Sequence, residues 1–145
     1  MKTIIRIIIV VLALSVLYLA IAILSPRPQN PAVVSEPQWD SPRTRELAKR
    51  ACFDCHSNET IWPWYTNIVP VSTLLRNDVQ EGRAIMNFSE WNLPQEIKNE
   101  PGDVAEVILE GEMPLPNYLL MHPSARLTDQ ERQEVAQRLQ ATFGR

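Results

Sequence analysis

An uncharged run from Ile7 to Leu24, 18 residues whose only polar groups are Ser15 and Tyr18, constrains this chain more than any other feature. As an α-helix it spans about 27 Å at about 1.5 Å per residue, close to the thickness of a bilayer's hydrocarbon core. A helix apolar on every side needs a membrane or a large protein around it, and nothing else in 145 residues is big enough to wrap it. Lys2 and Arg6 precede the run, and no acid or base follows until Arg27. The positive-inside rule therefore keeps the N-terminus cytoplasmic and places the rest of the chain outside the cytoplasm. Ala20-Ile21-Ala22 resembles a cleavage site, but a signal-peptide apolar region usually runs only ~7–15 residues, so residues 1–24 read as a retained single-pass anchor.

Residues 25–40 contain Pro26, Pro28, Pro31 and Pro37 among polar spacers such as Gln29 and Asn30. That composition favours extended, polyproline-like chain and predicts a tether of up to about 50 Å at ~3.1 Å per residue. Residues 41–145 leave room for one ordinary domain. All 17 acidic residues lie at or after Glu36, and with 11 basic residues that stretch carries a net charge of −6. Such a body argues against nucleic acid, whose phosphates call for a basic face, and favours a protein partner with a basic docking patch.

The domain reads as mainly helical. Asp40-Ser41-Pro42 offers an N-cap followed by proline at the first helical position, predicting a short helix over Arg43–Arg50 that runs into Cys52. Ser72–Met86 reads as a second helix, weakened late by Gly82. A third is expected from Pro101 through Val104, Val107 and Ile108 to Glu110, stopped by Gly111. Thr128-Asp129-Gln130-Glu131 is a capping box opening a last helix that carries Val135, Leu139 and Phe143, with Gly144 as its stop. Period-two alternation and hairpin dipeptides are absent from the sequence, and Pro-marked loops are expected between the helices.

Both cysteines fall in Cys52-Phe53-Asp54-Cys55-His56, the C-x-x-C-H spacing of covalent c-type haem attachment. At a helix end, two thiols three residues apart can reach the two vinyl groups of one porphyrin, while the next residue's imidazole comes under the iron. Other uses of these residues remain open. A redox dithiol would share the C-x-x-C but leaves His56 without a role and expects a βαβ setting. Zinc would consume Cys52, Cys55, His56 and His122, the whole Cys and His inventory.

For the opposite face of an iron, Met113 is the leading candidate. It sits in Gly111-Glu112-Met113-Pro114-Leu115-Pro116, where the prolines are expected to keep the loop extended. His122, Met121 or an open position are the alternatives. Met ligation suits an electron carrier, whereas an open position permits peroxide, oxygen or nitric oxide chemistry in a haem enzyme or sensor. Trp62-Pro63-Trp64-Tyr65, beginning six residues past His56, is expected to pack against the porphyrin, with ordinary core packing as the alternative. A ligating imidazole normally donates its second N–H, and the carbonyl of Pro70 or a neighbour in Asn67–Pro70 is the expected acceptor. Glu131 and Glu134 read as the solvated face of the last helix, as do Asp103, Glu106 and Glu110 on the preceding one. No carboxylate pair reads as a catalytic dyad.

The run Cys52-Phe53-Asp54-Cys55-His56-Ser57-Asn58-Glu59-Thr60 with Trp62-Pro63-Trp64-Tyr65, then Gly111-Glu112-Met113-Pro114 and His122-Pro123-Ser124-Ala125-Arg126-Leu127, resembles the bacterial haem-binding domain family of membrane-anchored monohaem c-type cytochromes. The resemblance covers most of Ser41–Phe143. It implies an all-α, small cytochrome c-like domain around one covalent haem c on Cys52, Cys55 and His56. By analogy with cytochrome c, Met113 would be the distal ligand, and the chain would shuttle single electrons between redox proteins.

Overall fold

The computed structural model describes residues 2–24, 27–95 and 102–143. The described residues are all-helical: α1 Lys2–Leu24, α2 Pro42–Ala51, α3 Phe53–His56, α4 Val71–Ile85, α5 Gly102–Leu109, α6 Pro116–Met121 and α7 Asp129–Phe143. Single 3₁₀ turns cover Trp64–Asn67 and Pro123–Ala125. The only β pairing among them is an isolated parallel bridge between Ser35 and Glu90. Pro101 and Gly144, the expected start of α5 and stop of α7, lie outside the described residues, as do Ser25 and Pro26 of the linker and the Asp103 side chain.

The chain divides into two compact units, Met1–Gln29 with Trp62–Arg76, and Asn30–Ile61 with Asn77–Arg145. In the first, α1 is long and apolar enough to cross a membrane and buries none of its residues. Its one hydroxyl serine needs no outside partner, because Ser15 Oγ donates to Val11 O at 2.9 Å one turn back. In the same unit, Thr66 Oγ1 donates to Pro63 O to close the 3₁₀ turn, and Trp64 and Tyr65 meet edge to face at 5.8 Å. The carbonyls of Ile68 and Pro70 accept the first N–H groups of α4, from Ser72 and Thr73.

The second unit is organised around α2, α5 and α7. Ser41 is the N-cap of α2, accepting from Thr44 N at 3.2 Å, with Pro42 at the first helical position. The capping box of α7 closes both ways: Glu131 N donates to Thr128 Oγ1, and Thr128 N to Glu131 Oε2. Leu47, Val135 and Leu139, essentially without solvent exposure, pack with Ala48, Ala136, Val104 and Ile108 into one apolar core. An aromatic chain extends it, with ring centroids at 5.1 Å for Trp39–Phe88, 5.4 Å for Phe53–Phe88 and 5.2 Å for Trp91–Phe143.

Three expectations change. The stretch from Asn30 to Asp40 is extended but not free. Val34 N and Ser35 N donate to Ser89 O, Glu36 forms a two-pronged pair with Arg45 at 2.7 Å on both prongs, and Trp39 joins the core. Its prolines remove donors without preventing docking, because side chains and the remaining N–H groups find partners on the domain. Prolines hold the 111–116 loop only as far as Leu115, since Pro116 opens α6 at the first helical position, where its missing N–H costs nothing. Glu131 and Glu134 are largely covered and form a charge network: Glu131 pairs with Arg50 at 2.8 Å and Arg43 at 3.1 Å, and Glu134 with Arg138 at 3.1 Å.

Candidate functional site

Cys52 closes α2, its N–H donating to Ala48 O at 2.8 Å, and its dihedrals of φ −123° and ψ −31° break the helix before α3 begins. Its carbonyl then accepts from both Cys55 N at 3.1 Å and His56 N at 2.9 Å, so one tight turn carries all three residues. Both thiols are free and partly buried, and Cys52 packs against the core. Burial pushes the Cys52 thiol up to about 12. Burial, then the nearby Asp54 and Asp78 charges, push Cys55 up to about 11. Thiols held so firmly protonated are poor participants in disulfide exchange, which proceeds through the thiolate. Among the described residues, no three Cys, His or carboxylate groups converge as a metal site, so the zinc tetrad through His122 is not formed.

His56 is gripped at both ends. Its main-chain carbonyl accepts from Phe88 N at 2.8 Å. Its ring Nδ1 lies 2.9 Å from Gly82 O and 3.1 Å from Met86 O. Two carbonyls can only accept, so Nδ1 carries the proton and Nε2 is left with its lone pair and no hydrogen-bond partner among the described residues. Burial holds the imidazole pKa below its ordinary value, against the pull of those two carbonyls, and favours the neutral ring. The acceptors are therefore not in Asn67–Pro70, whose Pro70 carbonyl is engaged by Thr73 N and Leu74 N. Gly82 is the reason α4 takes over: a Cβ there would stand 2.7 Å from Cys55 O, so only glycine lets the helix backbone come this close.

The segment after His56 is fixed by buried amides. Asn87 Nδ2 donates to Asn58 Oδ1 at 3.0 Å, Asn58 N to Ser89 Oγ at 2.9 Å, and Asn58 Nδ2 to Ala32 O and Glu90 Oε1. Arg83 Nε donates to Ser57 O at 2.8 Å, and its Nη2 reaches Thr60 Oγ1. Asp54, between the two cysteines, uses both carboxylate oxygens: Oδ1 accepts from Ile61 N at 2.9 Å and Oδ2 from the Tyr118 hydroxyl at 2.7 Å. Burial foremost, then this bond to Asp54, raises the Tyr118 phenol far above its usual range, so it serves as a neutral donor.

Met113 follows a closed helix end. Gly111, at φ +81°, turns the chain out of α5, and Glu112 N and Met113 N both donate to Val107 O. Arg132 of α7 caps the same end, donating to Ile108 O at 2.8 Å. Met113 is partly buried against the core cluster that Cys52 also touches. Met121 is 61% exposed, and His122 stacks on the Tyr118 ring at 4.1 Å with Nδ1 at 3.1 Å from Tyr118 O. Trp62, Trp64 and Tyr65 belong to the unit that contains α1, with Trp64 75% exposed. The aromatic core of the other unit is formed by Trp39, Phe53, Phe88, Trp91 and Phe143.

The donor set suits an iron porphyrin: paired thiols on one turn, and beside them a neutral imidazole whose ligating nitrogen is unengaged while its other nitrogen is anchored. Residues 16–141 match the family model described as the haem-binding domain, and the chain belongs to that family. It is a haem-binding protein with one N-terminal helix apolar enough to span a membrane. Neither the curated proteins nor the solved structures yielded a match.

Proposed function

We propose that this chain is a membrane-tethered, periplasmic monohaem c-type cytochrome that passes single electrons between redox proteins. One observation carries the reading: the His56 ring is anchored through Nδ1–H with Nε2 free, on the same turn as Cys52 and Cys55. Haem c, when bound, supplies the one-electron ferric/ferrous couple. In this proposal Cys52 and Cys55 would hold it by thioether bonds, and His56 Nε2 and Met113 would ligate its iron. Gly82 O and Met86 O keep the imidazole oriented and raise its basicity as a ligand. Trp62, Trp64 and Tyr65 stay in the proposal as apolar surface offered to the porphyrin, on their place in sequence after the motif.

Tethering rests on α1 and on the charge asymmetry about it, since Lys2 and Arg6 precede the apolar run and the positive-inside rule would keep them cytoplasmic. The net charge of −6 beyond Glu36 suits a partner with a basic patch. The deciding experiment is mass spectrometry of protein matured in a c-type-haem-competent host, joined to ferric and ferrous optical spectra with and without carbon monoxide. Expected are one covalent haem and a Met–ferric charge-transfer band that disappears in Met113→Ala. An apoprotein with free thiols would overturn the whole reading. Ready carbon monoxide binding by the unaltered protein would replace the electron carrier with an open-site enzyme or gas sensor.

A further inference from the structure

Asp54 occupies one of the two variable positions inside C-x-x-C, yet its side chain is committed to tertiary structure. Oδ1 holds Ile61 N at 2.9 Å, in the strand of chain that leaves the motif, and Oδ2 holds the Tyr118 hydroxyl at 2.7 Å, from α6, 64 residues away. Its charge is felt at Cys55, along with those of Asp78 and Arg83. α6 is the helix that the Met113 loop runs into, beginning three residues after Met113. The structure thus joins a carboxylate at the attachment motif to the helix that follows the Met113 loop, through one hydroxyl.

We propose that Asp54 and Tyr118 act as a pair that sets the reduction potential of the bound haem, with Tyr118 as the positioning residue. This rests on the haem c reading above. A carboxylate beside the motif favours the more positively charged ferric state and lowers the potential. The Tyr118 O–H dipole points its positive end at that carboxylate, partly offsets its field, and keeps Oδ2 turned toward α6. Loss of the charge and loss of the hydroxyl therefore have opposite electrical consequences.

The test is redox titration of the full-length holoprotein in detergent, comparing wild type, Asp54→Asn, Tyr118→Phe and the double variant. Asp54→Asn is expected to raise the midpoint potential. Tyr118→Phe is expected to lower it, and to have little further effect once Asp54 is already Asn, because the hydroxyl acts through the charge. Asp78 and Arg83 are untouched in all four proteins. Shifts of the same sign in the two single variants, or no shift in either, would show a merely structural bond and overturn the proposal. Should Asp54→Asn fail to mature, Asp54→Ser removes the charge equally and carries the same expectation. Mass spectrometry of the wild type separates the two levels: no covalent haem defeats the function proposed above and this pair with it, whereas intact haem with same-sign shifts defeats only the pair.

Discussion

At the residue scale, Gly82 shows how a side chain that is missing can organise a site. Alanine would raise helix propensity by about 1 kcal/mol in an exposed helix interior. Here its Cβ would meet a backbone carbonyl at 2.7 Å, an atom that cannot move aside without disturbing Cys55 and His56. Gly82→Ala is therefore expected to lower the melting temperature and the yield of covalent haem together, measured by thermal denaturation and by the haem-to-protein ratio. A variant that melts higher with full haem content would refute this packing role. Phe88, with no solvent exposure and three ring partners, should cost about 3–5 kcal/mol in denaturant unfolding when cut to alanine. The motif residues Cys52, Cys55 and His56 were legible because they are contiguous and few chemistries need that spacing. The acceptors of the His56 ring were not, since Gly82 and Met86 lie 26 and 30 residues downstream and meet it only through the packing of α4. Asp54 and Tyr118 escaped for the same reason at a separation of 64.

At the scale of elements, α2, α4, α5 and α7 appear within about two residues of where caps and breakers place them, as local signals should. α6 was hidden by its own proline, which reads as a breaker until its position in the first turn is known. The charge network at the start of α7 is also tertiary, because it needs Arg43 and Arg50 of α2 beside Glu131. Its consequence can be measured. Arg50's hydrogen bond foremost, then the Thr128 N–H, push the Glu131 carboxyl from 4.5 down to about 2. A depressed carboxylate contributes stability that is fully present above the unfolded value and fades as pH falls toward the folded one. Melting temperature should thus decline between about pH 4.5 and 2 by more in the wild type than in Glu131→Gln, which begins lower and has less to lose. Parallel curves for the two proteins would contradict a paired Glu131. Ser41→Ala, which removes the α2 cap, should cost about 1 kcal/mol.

At the scale of the whole molecule, the apolar helix and the acidic body were both readable from composition, since neither depends on how the chain folds. The free length of the linker was not: prolines favour extension, and the partners that dock Asn30–Asp40 come from α2, the Asn58 side chain, the 87–91 segment and α7. Fractionation of host cells should find the intact protein in membranes after a high-salt wash and soluble only in detergent. Release by salt alone would contradict retention of α1 in the bilayer. Reduction by a basic redox partner should slow as ionic strength rises, and a flat rate across about 10–500 mM salt would count against charge-steered docking.

The double hold on His56 has a kinetic corollary for the haem-loaded protein. An imidazole fastened through its main chain to Phe88 and through its ring to Gly82 and Met86 cannot swing when the charge on a neighbouring atom changes by one. Were the bound haem to cycle between oxidised and reduced forms as proposed, few nuclei would have to shift, and the barrier to each exchange would stay small.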